Sequence, residues 1–111
     1  GPGAKGGNMF IETDGDLNFN VRGDMTTKVG GTVYNEYLGH MATNIANTQS
    51  LTVNEDRITT IIGDHTENLR GRFDQVIALD ENVIVQGNST KEVKGDTKET
   101  TLKNLLIASM Y

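Results

Sequence analysis

The chain has 111 residues, 35% of them hydrophobic and 5% aromatic, with no Trp, no Cys and a net charge of −5. So polar a chain does not offset the conformational entropy of ordering a lone domain of this size, which leaves either disorder or a core completed by partner chains, and the regular patterning of the chain argues against disorder. The absence of Cys excludes disulfides and thiolate metal sites, no apolar run reaches the ~18 residues of a membrane span, and the acidic balance disfavours nucleic acid or anionic lipid as a partner.

Residues 1–12 read as a flexible N-terminal linker, Gly-rich between Gly3 and Asn8. Gly1-Pro2 has the form of a protease scar, so a longer parent protein is expected.

From residue 13 the chain becomes periodic. Stepping by eight from Val21 gives Val21, Val29, Tyr37, Ile45, Val53, Ile61, Leu69, Ile77, Val85 and Val93, every one apolar. At this composition ten hits in one phase have a chance probability on the order of 10⁻⁵ to 10⁻⁴. Two residues after each column position stands a second column, occupied by Gly15, Gly23, Gly31, Gly39, Gly63, Gly71, Gly87 and Gly95. The position after that is mostly a turn former: Asp16, Asp24, Asp56, Asp64, Asp80, Asn88 and Asp96. The unit is therefore Val-x-Gly-Asp/Asn followed by four variable residues. A β-branched residue favours extended backbone and marks the inward position. Gly permits a positive φ or a tight bend at a corner, and Asp or Asn bonds back to nearby amides. A period of eight would spiral around a helix, so it excludes one.

In the middle of the chain, Ala46 to Glu55 is the least regular stretch. Asn47, Glu55 and, further on, Leu79 replace Gly in the corner column; Asn47 can still take a left-handed conformation, and wider corners or register adjustments are expected at Glu55 and Leu79. Regularity returns by Val85-Gln86-Gly87-Asn88-Ser89-Thr90-Lys91-Glu92-Val93-Lys94-Gly95-Asp96. Thr97-Lys98-Glu99-Thr100 suits an extended segment with one wet face. The octads end at residue 100. Residues 101–111 are an apolar C-terminal segment (Leu102, Leu105, Leu106, Ile107, Met110, Tyr111) that is costly to leave exposed. It is expected to cap the shaft by self-packing or to dock a tip protein.

The expected fold class is all-β: an intertwined homotrimeric triple-stranded β-helix with an octad-repeat shaft over residues 13–100. Each octad would supply a short strand and a corner, and three chains would interleave so that no strand edge is left free. With layers ~4.8 Å apart, the octads would build a shaft on the order of 50 Å long. A single-chain solenoid is the other architecture the period allows.

The octads over residues 13–100, most of all residues 85–96, resemble the C-terminal β-helix of the baseplate central spike (the tail-associated lysozyme) of T-even-type phages. They are also similar to the valine-glycine-repeat spike of type VI secretion. The resemblance implies a homotrimeric, membrane-piercing structural needle in the tail baseplate of a virion, or alternatively in a type VI secretion apparatus. Its partners would be two identical chains, a PAAR-repeat tip protein and, transiently, the host outer membrane, with no nucleic acid. Relatives of that kind often carry an upstream oligosaccharide-binding-fold domain, and some a lysozyme domain. Neither pattern is present in these residues, so no enzymatic activity is expected of them.

No catalytic, cofactor or metal site is read from the sequence. His40 and His65 are too far apart for a local metal motif, and the His-x-His pair of related spike tips is missing. Gln49, Arg57 and His65 fall in the column four residues after the apolar one and form a candidate axial polar belt. Tripled by symmetry, the belt would hold a water or an anion on the axis; the plainer reading sends these side chains to solvent at a corner. Arg22-Gly23-Asp24, the Asn88-Ser89-Thr90 sequon and the carboxylates Asp14, Asp16, Asp24 and Asp64 are all explained by the octad corner. Calcium-binding rolls repeat every nine residues rather than eight. The competing function class is an adhesive phage fibre module that binds host glycan, although the chain has no octad-breaking insertion and few aromatics to stack on sugars.

Overall fold

A computed structural model describes residues 6–103. The chain divides into two units, Gly1–Asp56 and Arg57–Tyr111, described separately. In the first, the backbone bends at residues 14–15, 22–23, 30–31, 38–39, 46–47 and 54–55, with straight stretches of six residues between successive bends. In the second, it bends at 62–63, 70–71, 78–79, 86–87, 94–95 and 102–103, again with six-residue stretches between. Every bend from residue 13 onward falls on the corner column and the residue before it.

The irregular corners bend like the others. Asn47, Glu55, Leu79 and Lys103 occupy the second bend position as the glycines do elsewhere, so the spacing is unchanged. The glycines themselves do not use the conformation reserved for them. Among the described residues only Gly6, in the linker, has a positive φ, at 69°. A Cβ added at any of the eight corner glycines would meet nothing within 4 Å. Within the chain, then, Gly is not sterically required at the corner. A bend with ordinary negative φ accepts any residue whose neighbours leave it room. At the first corner the Gly15 N–H donates to Thr13 Oγ1 at 3.1 Å, a local bond of the kind that stabilises turns.

The structure corrects the expected fold class. Among the described residues there is neither strand nor helix, so these residues do not form the all-β, intertwined triple-stranded β-helix that the octads suggest. A strand is a relation between two segments, because its ladder needs a partner backbone ~4.8 Å away. Within each unit, no two described residues twelve or more positions apart come within 8 Å of one another. The bends do not reverse the chain: among the described residues only Gly6 has the positive φ that the tight two-residue hairpin turns use. The extended propensity is therefore expressed as straight backbone without a ladder, its N–H and C=O groups left to water. Nor do the described residues form a core: none of them is buried. Of the linker, residues 1–5 lie outside the described residues, as do residues 104–111 of the expected C-terminal cap.

Candidate interaction face

Extended backbone sends successive side chains to opposite sides, and eight is an even number, so every octad keeps the same parity. The exposures follow that rule. The ten residues of the apolar column are 44–57% exposed, from Ile45 and Ile77 at the low end to Tyr37 and Leu69 at the high end. The other odd-numbered apolar residues of the straight stretches, Leu17, Phe19, Met25, Val33, Met41, Leu51, Phe73 and Val83, lie between 57% and 73%. Large apolar residues at even positions are nearly free: Tyr34 80%, Ile84 87%, Ile58 88%, Val76 95% and Ile62 101%. Leu79 is an odd residue at 91%, as its corner position requires. The column sits just before each bend, where the turning chain shields it most. One side of the repeat is thus apolar and half-shielded; the other is open.

The two units build this odd-numbered face differently. Between Leu17 and Val53 its straight stretches hold Leu, Phe, Val, Met, Thr, Asn, Tyr, Ile and Gln, with no charged residue. From Arg57 onward the same positions carry Arg57, His65, Glu67, Glu81, Lys91 and Glu99 among Ile61, Leu69, Phe73, Ile77, Val83, Val85 and Val93.

Of the expected polar belt, Gln49 lies in the first unit and Arg57 and His65 in the second, all three at odd positions. Among the described residues, the polar contact on this face is His65 Nε2 to Glu67 Oε2 at 3.4 Å, with the side chains 63% and 54% exposed. Sequence reasoning missed Glu67. The signal was the two-residue alternation, which puts Glu67 beside His65 on one side. Tyr34–Glu36 and Arg72–Asp74 repeat that i, i+2 geometry at even positions. The Tyr34 hydroxyl donates to Glu36 Oε2 at 2.7 Å, and Arg72 Nε lies 3.1 Å from Asp74 Oδ2. The hydrogen bond to the Glu36 carboxylate favours the protonated phenol and raises the Tyr34 pKa above its ordinary 10.0.

Among the described residues no three His, Cys, Asp or Glu side chains come together to hold a metal, and there is no pocket. No described helix is long and apolar enough to cross a membrane. The arrangement offers no enclosed volume for chemistry. What each unit offers is a two-sided surface, apolar on one side, repeated every eight residues. In comparisons with known proteins, no family model, curated protein or solved structure matches this chain.

Proposed function

We propose that this chain is a structural segment of a cell-puncturing spike, in which three copies cover one another's odd-numbered faces and no chemistry is performed. One observation carries the reading: a column of ten β-branched and other apolar residues, in phase over the whole repeat, lies half exposed in a chain that buries nothing among its described residues. Left in water, such a face forgoes about 25 cal/mol for each Å² of apolar surface that burial would remove. An apolar surface of this extent marks an interaction site. The repeat itself argues that the cover is another copy, since only a partner with the same eight-residue pitch meets every column residue. The octads' likeness to phage baseplate spikes and type VI spikes supplies the role: a piercing shaft in a virion tail baseplate or a secretion apparatus, ending in a PAAR-type tip protein. Its acidic, polar outer side would give membrane and wall polymers little to hold.

The test is the solution mass by light scattering, with the same sample run unboiled on a denaturing gel. A mass near three times 12.1 kDa, with a band resisting detergent, is the expected result. A mass of one chain at all concentrations would overturn the reading. A specific observation favours one alternative, an adhesive fibre module: Tyr34 is exposed and hydrogen-bonded to Glu36 on the open side, an aromatic and an acid side by side as sugar-binding surfaces use. Saturable binding of host glycans, lost in Tyr34→Ala, would select it.

A further inference from the structure

We propose that Asp14 is a modification site: its carboxyl group closes on the Gly15 amide and the residue isomerises to isoaspartate without an enzyme, restrained by the Thr13 hydroxyl. The reaction belongs to the single chain and needs no association between copies.

The octad corner sets glycine and carboxylate side by side, but in one order. Asp16, Asp24, Asp64 and Asp96 follow their glycines and precede Leu17, Met25, His65 and Thr97. Asp56, Asp74 and Asp80 precede Arg57, Gln75 and Glu81. Only at the first corner does an aspartate stand directly ahead of a glycine, in Asp14-Gly15, and no asparagine of the chain does so. The order matters because the attacking atom is the backbone nitrogen of the following residue. A Cβ on that residue crowds the nitrogen's approach to the carboxyl carbon, and glycine has none.

The backbone at this corner is free to bring the two groups together. It bends at residues 14–15, both exposed. Neither residue has a positive φ, and a Cβ built on Gly15 would meet nothing within 4 Å, so no neighbour resists a rotation there. Within this unit no described residue twelve or more positions away comes within 8 Å. One contact holds the nitrogen: the Gly15 N–H donates to Thr13 Oγ1 at 3.1 Å. That bond is local and exposed, so water can replace either partner at little net cost. It slows the nitrogen without burying it.

The steps balance with water as the sole co-reactant. The Gly15 nitrogen bonds to Asp14 Cγ as a carboxyl oxygen leaves, and that oxygen departs as water with the amide proton and the carboxyl proton. The product is a five-membered imide ring. Water then adds to either ring carbonyl. Addition at Cγ restores aspartate. Addition at the main-chain carbonyl breaks its bond to nitrogen and leaves the chain running through Cβ and Cγ, one carbon longer, with the former main-chain carboxylate free. The charge is unchanged. The extra carbon falls ahead of Leu17 and of every member of the apolar column, so the pitch of the repeat is untouched.

The full chain is incubated in warm, near-neutral buffer and sampled over time. Two readouts are taken: transfer of a labelled methyl group by an isoaspartyl methyltransferase, and cleavage by an endoproteinase that cuts ahead of aspartate. Label should accumulate on the peptide that holds Asp14, through an intermediate lighter by one water. The cut ahead of Asp14 should be lost while those ahead of Asp24 and Asp64 remain. Gly15→Ala, whose new methyl group meets no atom within 4 Å, should lose most of the label. Thr13→Val, which releases the Gly15 N–H, should make the label appear faster. No label, label spread over several aspartates, or label undiminished in Gly15→Ala would overturn Asp14 as the site. Label that forms only in denaturant would do the same, because the corner would then be held rigid in the native chain. A Thr13→Val chain no faster than the parent would overturn the restraint by Thr13.

Discussion

The two units follow one period and one bend geometry, yet they face outward differently. The first presents an odd-numbered side with no charge between Leu17 and Val53; the second interrupts the same apolar column with Arg57, His65, Glu67, Glu81, Lys91 and Glu99. The difference teaches how a repeat divides two demands that conflict. Adhesion grows with apolar area and is non-directional, so a uniform face holds a neighbour in any octad register. Choice of register needs groups that are costly when mismatched, and those groups weaken the face that bears them. In the proposed assembly the first unit supplies an uncharged apolar face, and the second carries the groups that a mismatch penalises.

That division can be broken most forcefully in the first unit. Ile45→Asp places a carboxylate at one of the most shielded positions, 44% exposed in the single chain. If copies cover the face, the buried unpaired charge costs several kcal/mol per chain, and light scattering should show the mass falling to that of one chain. The same change at Ile58, on the open side at 88%, should leave the mass unaltered.

Next in size is the second unit. Glu67→Val removes the carboxylate 3.4 Å from His65 and should weaken assembly by about 1 kcal/mol or less in denaturant titrations followed by mass. His65→Leu combined with Glu67→Val should recover most of that loss, because replacing both members of a pair by apolar groups is often neutral or stabilising. A double variant weaker than the single one would mean that the charges do not act as a pair.

A smaller effect is expected at the corners. Gly63→Ala meets no atom within 4 Å and no positive φ, so the single chain should keep its bend, read as unchanged circular dichroism under monomeric conditions. A loss of the assembled mass in the same variant would show that another chain's backbone approaches the corner.

The smallest effect lies at Tyr34. Its bond to Glu36 holds the proton, so Glu36→Gln should bring the phenol's ionisation down toward pH 10, followed by absorbance near 295 nm, with no change in mass. The direction follows from the donor's role: the neutral phenol is the form the carboxylate stabilises, and it gives up its proton only at higher pH.

Much of the local structure was legible before any coordinates. The step of eight matches every bend from residue 13 onward and sets the apolar column just ahead of each, because both depend only on neighbours a few residues apart. The exceptions departed from expectation: wider corners or register adjustments were expected at Glu55 and Leu79, and the backbone bends there as elsewhere. Less of the candidate site was legible. Gln49, Arg57 and His65 were grouped by the eight-residue column alone, whereas the contact that exists joins His65 to Glu67, two residues on and outside that column.

What the sequence determined by itself is therefore the period, the corners and the parity of the apolar side, since extended propensity, turn chemistry and eight-residue spacing are properties of a chain and its near neighbours. What only the tertiary structure decided is that these stretches, among the described residues, form neither ladder nor core, and that the corner glycines are not held there by φ or by any clash within the chain. The physical reason is the same in each case. A strand, a buried side chain and a position where only Gly fits are relations to something lying alongside, and no six-residue stretch between bends can supply that for itself.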